Sequence, residues 1–211
     1  MNPHLRIVSV SALFLLLFLS VGCGQAPEED GSIAYVSANP GSEYEKTFKD
    51  LHLGLLYDFN FRQTQADRTW VTLWVEGYRD GKPTEPSRLI ELSYGWSPES
   101  DVEGSLGFGI INNQRDVPSF FLFSAGASIQ PHPVDALFDW NKPGGSTWGY
   151  AIGDEEAGLA SGETKILGVY RKVEHSLRTY DYQDPDAVAR MIREDQTVLL
   201  LKIKVEIGGR P

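Results

Sequence analysis

The sequence predicts a mainly β fold: an antiparallel two-sheet sandwich or a partly closed barrel, with one short C-terminal α-helix. Three observations support this fold class. Apolar and polar residues alternate over residues 51–61 and 198–207, as they do in half-buried strands. Glycine and proline separate the shorter apolar runs. Residues 184–194 combine a helix start signal with an apolar stripe at helical spacing.

The first predicted elements form a series of strands. Residues 51–61 carry Leu, Tyr or Phe at every odd position, which predicts a half-buried strand. Residues 69–78 are rich in β-branched and aromatic types and precede the turn signal Asp-Gly at 80–81. Residues 82–87 contain two prolines and are predicted to form a loop. The return strand, residues 88–94, would complete an antiparallel hairpin with a long loop.

The later elements are shorter strands and one helix. Asp184 followed by Pro185 is a favourable helix start, because the carboxylate caps free N–H groups and proline suits the first turn. Val188, Met191 and Ile192 supply the apolar stripe of this helix. The remaining strands are predicted at residues 106–111, 119–124, 147–152, 163–171 and 198–207.

A hydrophobic leader begins the chain. His4 and Arg6 give it a weakly positive start, and an apolar run covers residues 8–21. This run is too short to span a bilayer comfortably, since a spanning helix needs roughly 20 apolar residues. Cys23, the only cysteine, follows the run directly.

Residues 20–23, Ser-Val-Gly-Cys, resemble the lipobox of bacterial lipoproteins. In that family small or aliphatic residues precede the modified cysteine; Ser20 stands where leucine is more usual. The resemblance implies that the Cys23 thiol receives a diacylglyceryl group and that a peptidase cuts after Gly22. Two acyl chains give stable membrane anchoring, whereas one is marginal. The alternative is an ordinary cleaved signal peptide with an incidental cysteine.

The sequence therefore divides into three parts. Residues 1–22 are predicted to be a lipoprotein signal peptide, residues 23–32 the lipidated cysteine and a flexible acidic tether, and residues 33–211 a β-rich globular domain. The mature protein is expected outside the cytoplasm and lipid-anchored to the cell membrane, or to the outer membrane in a Gram-negative source.

Composition excludes several functions. Losing residues 1–22 removes one arginine and no acid, which changes the net charge from −10 to −11. This acidity argues against nucleic acid as a partner, because phosphate binding needs a basic surface. Acylation of Cys23 would leave no thiol for a disulfide, a nucleophile or a metal site. We expect no cofactor.

Motifs for catalysis or metal binding are weak. The three histidines after the leader show no metal-ligand spacing and are expected to be exposed polar residues: His52, His132 and His175. Glu99, Asp101 and Glu103 faintly resemble a calcium loop, but Ile110 stands where its final glutamate belongs. We therefore predict no metal ligand and no catalytic residue.

Glu76 and Glu91 form the one carboxylate pair that the predicted hairpin could bring face to face. Paired carboxylates are the machinery of glycosidases, and their separation determines the reaction. The sequence does not give the separation of Glu76 and Glu91. An envelope hydrolase acting through carboxylates is for this reason the weakest of the functional hypotheses.

Trp70, Trp74 and Tyr78 share one face of the second predicted strand. The opposite face carries Val71, Leu73 and Val75. If the aliphatic face lies in the core, the three rings could form a platform that stacks on sugars. In the alternative, the rings fill space between two sheets or beneath a helix. Further aromatic residues that could extend a platform are Trp96, Trp140, Trp148 and Tyr150.

The sequence thus favours a membrane-anchored extracytoplasmic lipoprotein, not an enzyme, with a non-catalytic binding or structural β-domain. The mature domain resembles functionally uncharacterised secreted lipoproteins of bacilli and their relatives, and no functional residue follows from that resemblance. Its expected partners are the membrane, through Cys23, and an envelope protein or glycan. The first alternative is a module for cell-wall glycan that uses Trp70, Trp74 and Tyr78; the second is the carboxylate hydrolase.

Overall fold

The computed structural model describes residues 31–111, 117–134 and 144–208. Two antiparallel sheets pack face to face, which confirms the predicted sandwich. One sheet contains six strands: β1 (Ser32–Ala38), β2 (Gly54–Gln63), β5 (Val102–Ile111), β6 (Ser119–Ser124), β7 (His132–Pro133) and β9 (Ala157–Ala160). The other contains five: β3 (Thr69–Arg79), β4 (Lys82–Gly95), β8 (Gly145–Tyr150), β10 (Thr164–Val173) and β11 (Thr197–Ile207).

The strand order places β2 and β3, which are consecutive, in opposite sheets. The six-stranded sheet runs β7-β6-β5-β2-β1-β9 and the five-stranded sheet runs β4-β3-β11-β10-β8. The predicted hairpin is present as β3 and β4, with Trp74 opposite Glu91. Strand β4 begins at Lys82, so the predicted loop at 82–87 is wrong. Its prolines are tolerated because β4 is an edge strand, whose outward N–H groups need no partner strand.

The core lies between the two sheets and is built from alternate residues of their strands. The inward faces of β2 and β3 contribute Tyr57, Phe59, Leu73 and Val75, all buried. Tyr57 crosses the core, and its hydroxyl donates a 2.8 Å hydrogen bond to the carbonyl of Val169 in the other sheet. These buried side chains stand at alternate positions, which is why the alternating sequence pattern predicted the strands.

Helix α2 (Pro185–Glu194) covers the outer face of the five-stranded sheet, where the sequence predicted a helix. Asp184 caps it by accepting a hydrogen bond from the backbone N–H of Asp186. Val188 and Met191 are buried against Val169, Val198 and Leu200 in a second apolar cluster. The apolar stripe read from the sequence is therefore the face that packs.

Arg171 anchors the segment that leads into this helix. Its side chain is 2% exposed, and its Nε donates a 2.6 Å hydrogen bond to Asp195 Oδ2. Its Nη1 donates to the carbonyl of Arg178 at 2.7 Å, and its guanidinium lies 4.6 Å from the ring centre of Tyr180. The charge is buried because one carboxylate and one carbonyl satisfy it.

A further helix, α1 (Glu43–Asp50), was missed by the sequence analysis. Ser42 caps it by accepting a hydrogen bond from the backbone N–H of Glu45. Leu51 and Leu53, which the alternation assigned to a buried strand face, are 62% and 36% exposed; this assignment is wrong. The helix ends at this point and β2 starts only at Gly54, so the first three residues of the alternating stretch belong to the connection.

Candidate functional site

Two surfaces of the domain merit consideration: the aromatic row on β3 and an apolar groove on the outer face of the six-stranded sheet. On β3 the aliphatic residues Val71, Leu73 and Val75 are fully buried in the core. The row of Trp70, Trp74 and Tyr78 therefore lies on the outer face of the five-stranded sheet, which is the placement that the platform hypothesis requires.

The central ring of this row is nevertheless inaccessible to a ligand. Trp74 is only 4% exposed. The Arg88 guanidinium lies 4.5 Å from the centre of its ring, and its indole Nε1 donates a 2.9 Å hydrogen bond to Glu76 Oε1. A ring that is covered on its open face and bonded at its edge offers no stacking surface. Trp70, Trp74 and Tyr78 therefore do not form a continuous platform in this conformation.

Glu76 holds the row together. Its Oε2 accepts hydrogen bonds from the Tyr78 hydroxyl at 2.8 Å and from Lys202 Nζ at 2.7 Å. Partial burial alone would raise the pKa of Glu76, but the hydrogen bonds from Lys202, Trp74 and Tyr78 outweigh it and lower this pKa. Burial and the bond to Glu76 raise the pKa of Tyr78. The carboxylate is an ionised structural acceptor.

Glu91, the other carboxylate of the hydrolase hypothesis, has separate partners. Its Oε2 pairs with Arg88, and its Oε1 accepts a hydrogen bond from the Ser93 hydroxyl at 3.2 Å. In the register of the hairpin Glu91 lies opposite Trp74, while Glu76 lies opposite Arg88. Each carboxylate is thus engaged by its own cation, and the two do not share a site. This geometry gives the hydrolase hypothesis no support.

Trp96 and Trp70 form a smaller aromatic pair at the end of β3. Their ring centres are 5.3 Å apart in an edge-to-face arrangement, and Trp96 is 51% exposed. The indole N–H of Trp70 has no hydrogen-bond partner in the described part of the chain. Tyr150 and Trp148 pack edge-on against Tyr57, away from this pair. Trp140 lies outside the described residues.

The sequence predicted no metal ligand, either in the acidic residues 99–103 or among the histidines. His52, His132 and His175 are exposed, as expected for surface polar residues. Within residues 31–111, 117–134 and 144–208, no three His, Cys, Asp or Glu side chains are grouped so as to hold a metal ion.

The apolar groove lies between α1 and the strands beneath it, outside the core of the sandwich. Its volume is about 430 Å³. Phe48 of α1 packs on Phe121 with ring centres 5.6 Å apart, and Tyr44 packs edge-on against Phe123 at 5.9 Å. The full lining is Tyr44, Thr47, Phe48, Leu53, Leu56, Phe121 and Phe123. Such a volume and such a lining are typical of sites for apolar ligands.

Two glycines of β5 form the floor on which the rings of the groove rest. A Cβ added at Gly109 would lie 1.9 Å from Phe121 Cε1, and one added at Gly107 would lie 2.6 Å from Phe123 Cζ. No other residue type admits the rings so close to the strand. The sequence signal was therefore present in Gly107-Phe-Gly109 and Phe121-Leu-Phe123, but the sequence did not show that these strands are neighbours.

A buried polar cluster fixes the N-terminal end of α1 to the sheet. Asp58 is 1% exposed, and its Oδ2 accepts a 3.0 Å hydrogen bond from the Asn39 amide. The Tyr150 hydroxyl lies 3.3 Å from the backbone nitrogen of Asp58 and 3.4 Å from Glu45 Oε2. Burial raises the pKa of Asp58 more than hydrogen bonds from Ser42, Asn39 and other neutral groups lower it.

The leader and Cys23 lie outside the described residues. In the part of the chain that the structure describes, no helix is long and apolar enough to cross a membrane. No protein family model, curated protein or solved structure matches this chain.

Proposed function

We propose that this chain is an extracytoplasmic lipoprotein with a non-catalytic binding domain, held on a membrane through Cys23. The leader and residues 20–23 support the anchor, because they combine a short apolar run with small residues directly before the only cysteine. Strand β1 begins at Ser32, so a short tether would join the anchor to the domain.

One observation carries the binding role: the apolar groove beside α1. Small-molecule sites are usually concave, mostly apolar clefts of this volume, and the groove has that form. The groove is not a defect of the core, since the core lies on the other side of the sheet and is continuous without it. The carboxylates of the hydrolase hypothesis, by contrast, are engaged by cations and hydroxyl groups.

The anchor is tested by replacing Cys23 with alanine and growing the cells with a labelled fatty acid. We expect the label and the membrane association of the protein to disappear together. Ser20→Leu is the matched control, because it restores the more usual residue and should leave labelling intact. Unchanged labelling or unchanged membrane fractionation of the Cys23→Ala variant would refute lipidation at this residue.

The binding surface is tested by affinity capture from an envelope extract with the full chain carrying Cys23→Ala. Leu53→Asp places a charge at the groove, and Leu177→Asp places the same charge at an exposed leucine elsewhere. Both residues are exposed, so both variants should fold. We expect Leu53→Asp to lose the captured component, whether lipid, protein or glycan, and Leu177→Asp to keep it. Equal capture by both variants would exclude the groove.

A glycan-binding role is a second candidate, now confined to Trp96 and Trp70. Its support is the exposure of Trp96, whose ring packs edge-on against Trp70. Trp96→Ala should reduce retention of the full chain on insoluble cell-wall glycan, while Trp148→Ala, at another exposed tryptophan, should not. Absence of retention in the unmodified chain would dismiss this role.

A further inference from the structure

Exposed apolar side chains are concentrated in α1 and in the residues directly after it. Three of the eight large apolar side chains that stand exposed in the described residues fall within ten positions of one another. They are Tyr44, Leu51 and Leu53, with exposures of 58%, 62% and 36%. Tyr44 and Leu53 also line the groove, and Leu51 lies two residues before Leu53 in the connection from α1 to β2. We call the groove together with these three projecting residues the α1 face.

The chemistry of the α1 face fits hydrocarbon better than peptide. The lining side chains of the groove carry only two polar groups, the hydroxyls of Tyr44 and Thr47. A peptide bound in an extended form would bring an N–H and a C=O with every residue, and each would need a partner. Acyl chains make no such demand. A tyrosine at the edge of an apolar surface is also common at the membrane interface, where its ring is buried and its hydroxyl stays wet.

Charge does not keep this face away from a bilayer. The chain as a whole carries a net charge of −10. Helix α1 carries three acids and two lysines, a net charge of only −1. Lys49 lies in its last turn, close to the exposed Leu51. Relative to its length, α1 is no less acidic than the chain as a whole, so charge does not favour this face; a single negative charge also adds little repulsion at an uncharged phosphatidylcholine surface.

The proposed anchor would hold this face within reach of the membrane. Eight residues lie between Cys23 and Ser32, and the nine Cα-to-Cα steps of an extended chain span about 30 Å. Ser32 opens β1 at the end of the six-stranded sheet where Gln63 of β2 lies, whereas Leu53 and Leu56 of the groove lie at the other end of β2. The tether therefore brings the bilayer to the domain without selecting this face. A tether this short gives the bilayer a high effective concentration at the domain surface, so that even a weak apolar contact is populated.

We infer that the α1 face rests on the bilayer to which the chain is anchored, with Leu51 and Leu53 in contact with acyl chains. The inference rests on the proposed anchoring through Cys23. It goes further by giving the domain one orientation on the membrane, with the six-stranded sheet toward lipid and α2 toward the surroundings.

Site-directed spin labelling tests the orientation in the full lipidated chain. Acylation of Cys23 consumes the only thiol, so a cysteine introduced by Leu51→Cys or Leu177→Cys is labelled uniquely. Each labelled protein is reconstituted on phosphatidylcholine vesicles. We expect the label at residue 51 to become several-fold more accessible to oxygen than to a water-soluble nickel complex. The label at residue 177, which is also exposed in the free domain, should keep its aqueous accessibility. Adding Leu53→Asp should return the label at residue 51 toward water.

Three outcomes would overturn the inference, and they are distinguishable. Protein that is acylated and vesicle-bound but keeps the label at residue 51 in water retains its anchor and lacks the orientation. Equal lipid exposure of the labels at residues 51 and 177 means that the domain has no preferred face. Protein whose Cys23 is not acylated refutes the proposed anchoring itself, and the inference falls with it.

Discussion

Replacing Gly109 by alanine tests the packing that forms the groove. The ring of Phe121 lies over this glycine, and an added Cβ would stand 1.9 Å from Phe121 Cε1. The ring must therefore move. Gly149 is the matched control, because it also lies within a strand and an added Cβ there meets nothing within 4 Å.

The expected difference between the two variants is the cost of overpacking. Both substitutions restrict the unfolded chain equally, so that contribution cancels in the comparison. The remaining overpacking lowers the free energy of unfolding of Gly109→Ala by about 1–3 kcal/mol relative to Gly149→Ala. For a domain of this size, each kcal/mol corresponds to a shift of about 2–4 °C in the melting temperature.

Urea unfolding of the full chain carrying Cys23→Ala measures these free energies in solution. The same comparison in a Phe121→Ala background isolates the cause, because removing the ring removes the clash. We expect the penalty of Gly109→Ala to fall to near zero there. Equal stability of the two glycine variants, or a penalty that persists without the ring, would show that Phe121 does not rest on Gly109.

Three further predictions concern buried or half-buried carboxyl groups, each measured as a free energy of unfolding. Asp195→Asn leaves the buried Arg171 without its counter-charge and should cost about 3–5 kcal/mol. Asp58→Asn should become more stable relative to the parent protein as pH rises. Burial raises the pKa of Asp58, so its carboxyl stabilises the fold below the ordinary pKa of aspartate and loses this contribution as pH climbs through the raised value. Glu76→Gln should cost about 1–3 kcal/mol at neutral pH, because charge-assisted hydrogen bonds to Trp74, Tyr78 and Lys202 are lost. Since the pKa of Glu76 is lowered, this difference should vanish as pH falls through the lowered value.

The same chain offers a control variant for Asp195→Asn, and each prediction has an outcome that would contradict it. Glu194→Gln breaks an exposed ion pair beside Asp195 and should change stability far less than Asp195→Asn. A loss for Asp195→Asn no larger than that of Glu194→Gln would contradict the burial of the Arg171 charge. A constant difference between Asp58→Asn and the parent across about pH 4–7 would contradict a raised pKa of Asp58. A Glu76→Gln penalty independent of pH would contradict an ionised Glu76.

Much of the fold followed from local patterns, because each pattern reports directly on which side chains are buried. The alternation along β11 put Ile203 on the apolar face, which the structure has in the core, whereas along β3 the sequence left open whether Leu73 or the aromatic row faces inward. The Asp184-Pro185 start and the apolar stripe predicted α2 correctly. These elements were recognisable because capping, alternation and helical spacing all depend on residues close in sequence.

The features that the sequence did not reveal depend on residues far apart in the chain. Trp74 is buried because the long side chain of Arg88, on the neighbouring strand, folds over its ring. The groove depends on the pairing of β5 with β6, which brings Phe121 opposite Gly109. Helix α1 was missed because it is only eight residues long and runs directly into a stretch that alternates like a strand. Register and strand order decide such contacts, and neither is written in a local pattern.

We propose a lipid anchor at Cys23 that holds the sandwich at a membrane surface. Intact mass measurement of the mature chain extracted from membranes tests it most directly, together with fragmentation of its N-terminal peptide. We expect the mature chain to begin at Cys23 and to carry a diacylglyceryl group on that residue. A mature chain that begins elsewhere, or one with an unmodified Cys23 thiol, would contradict it.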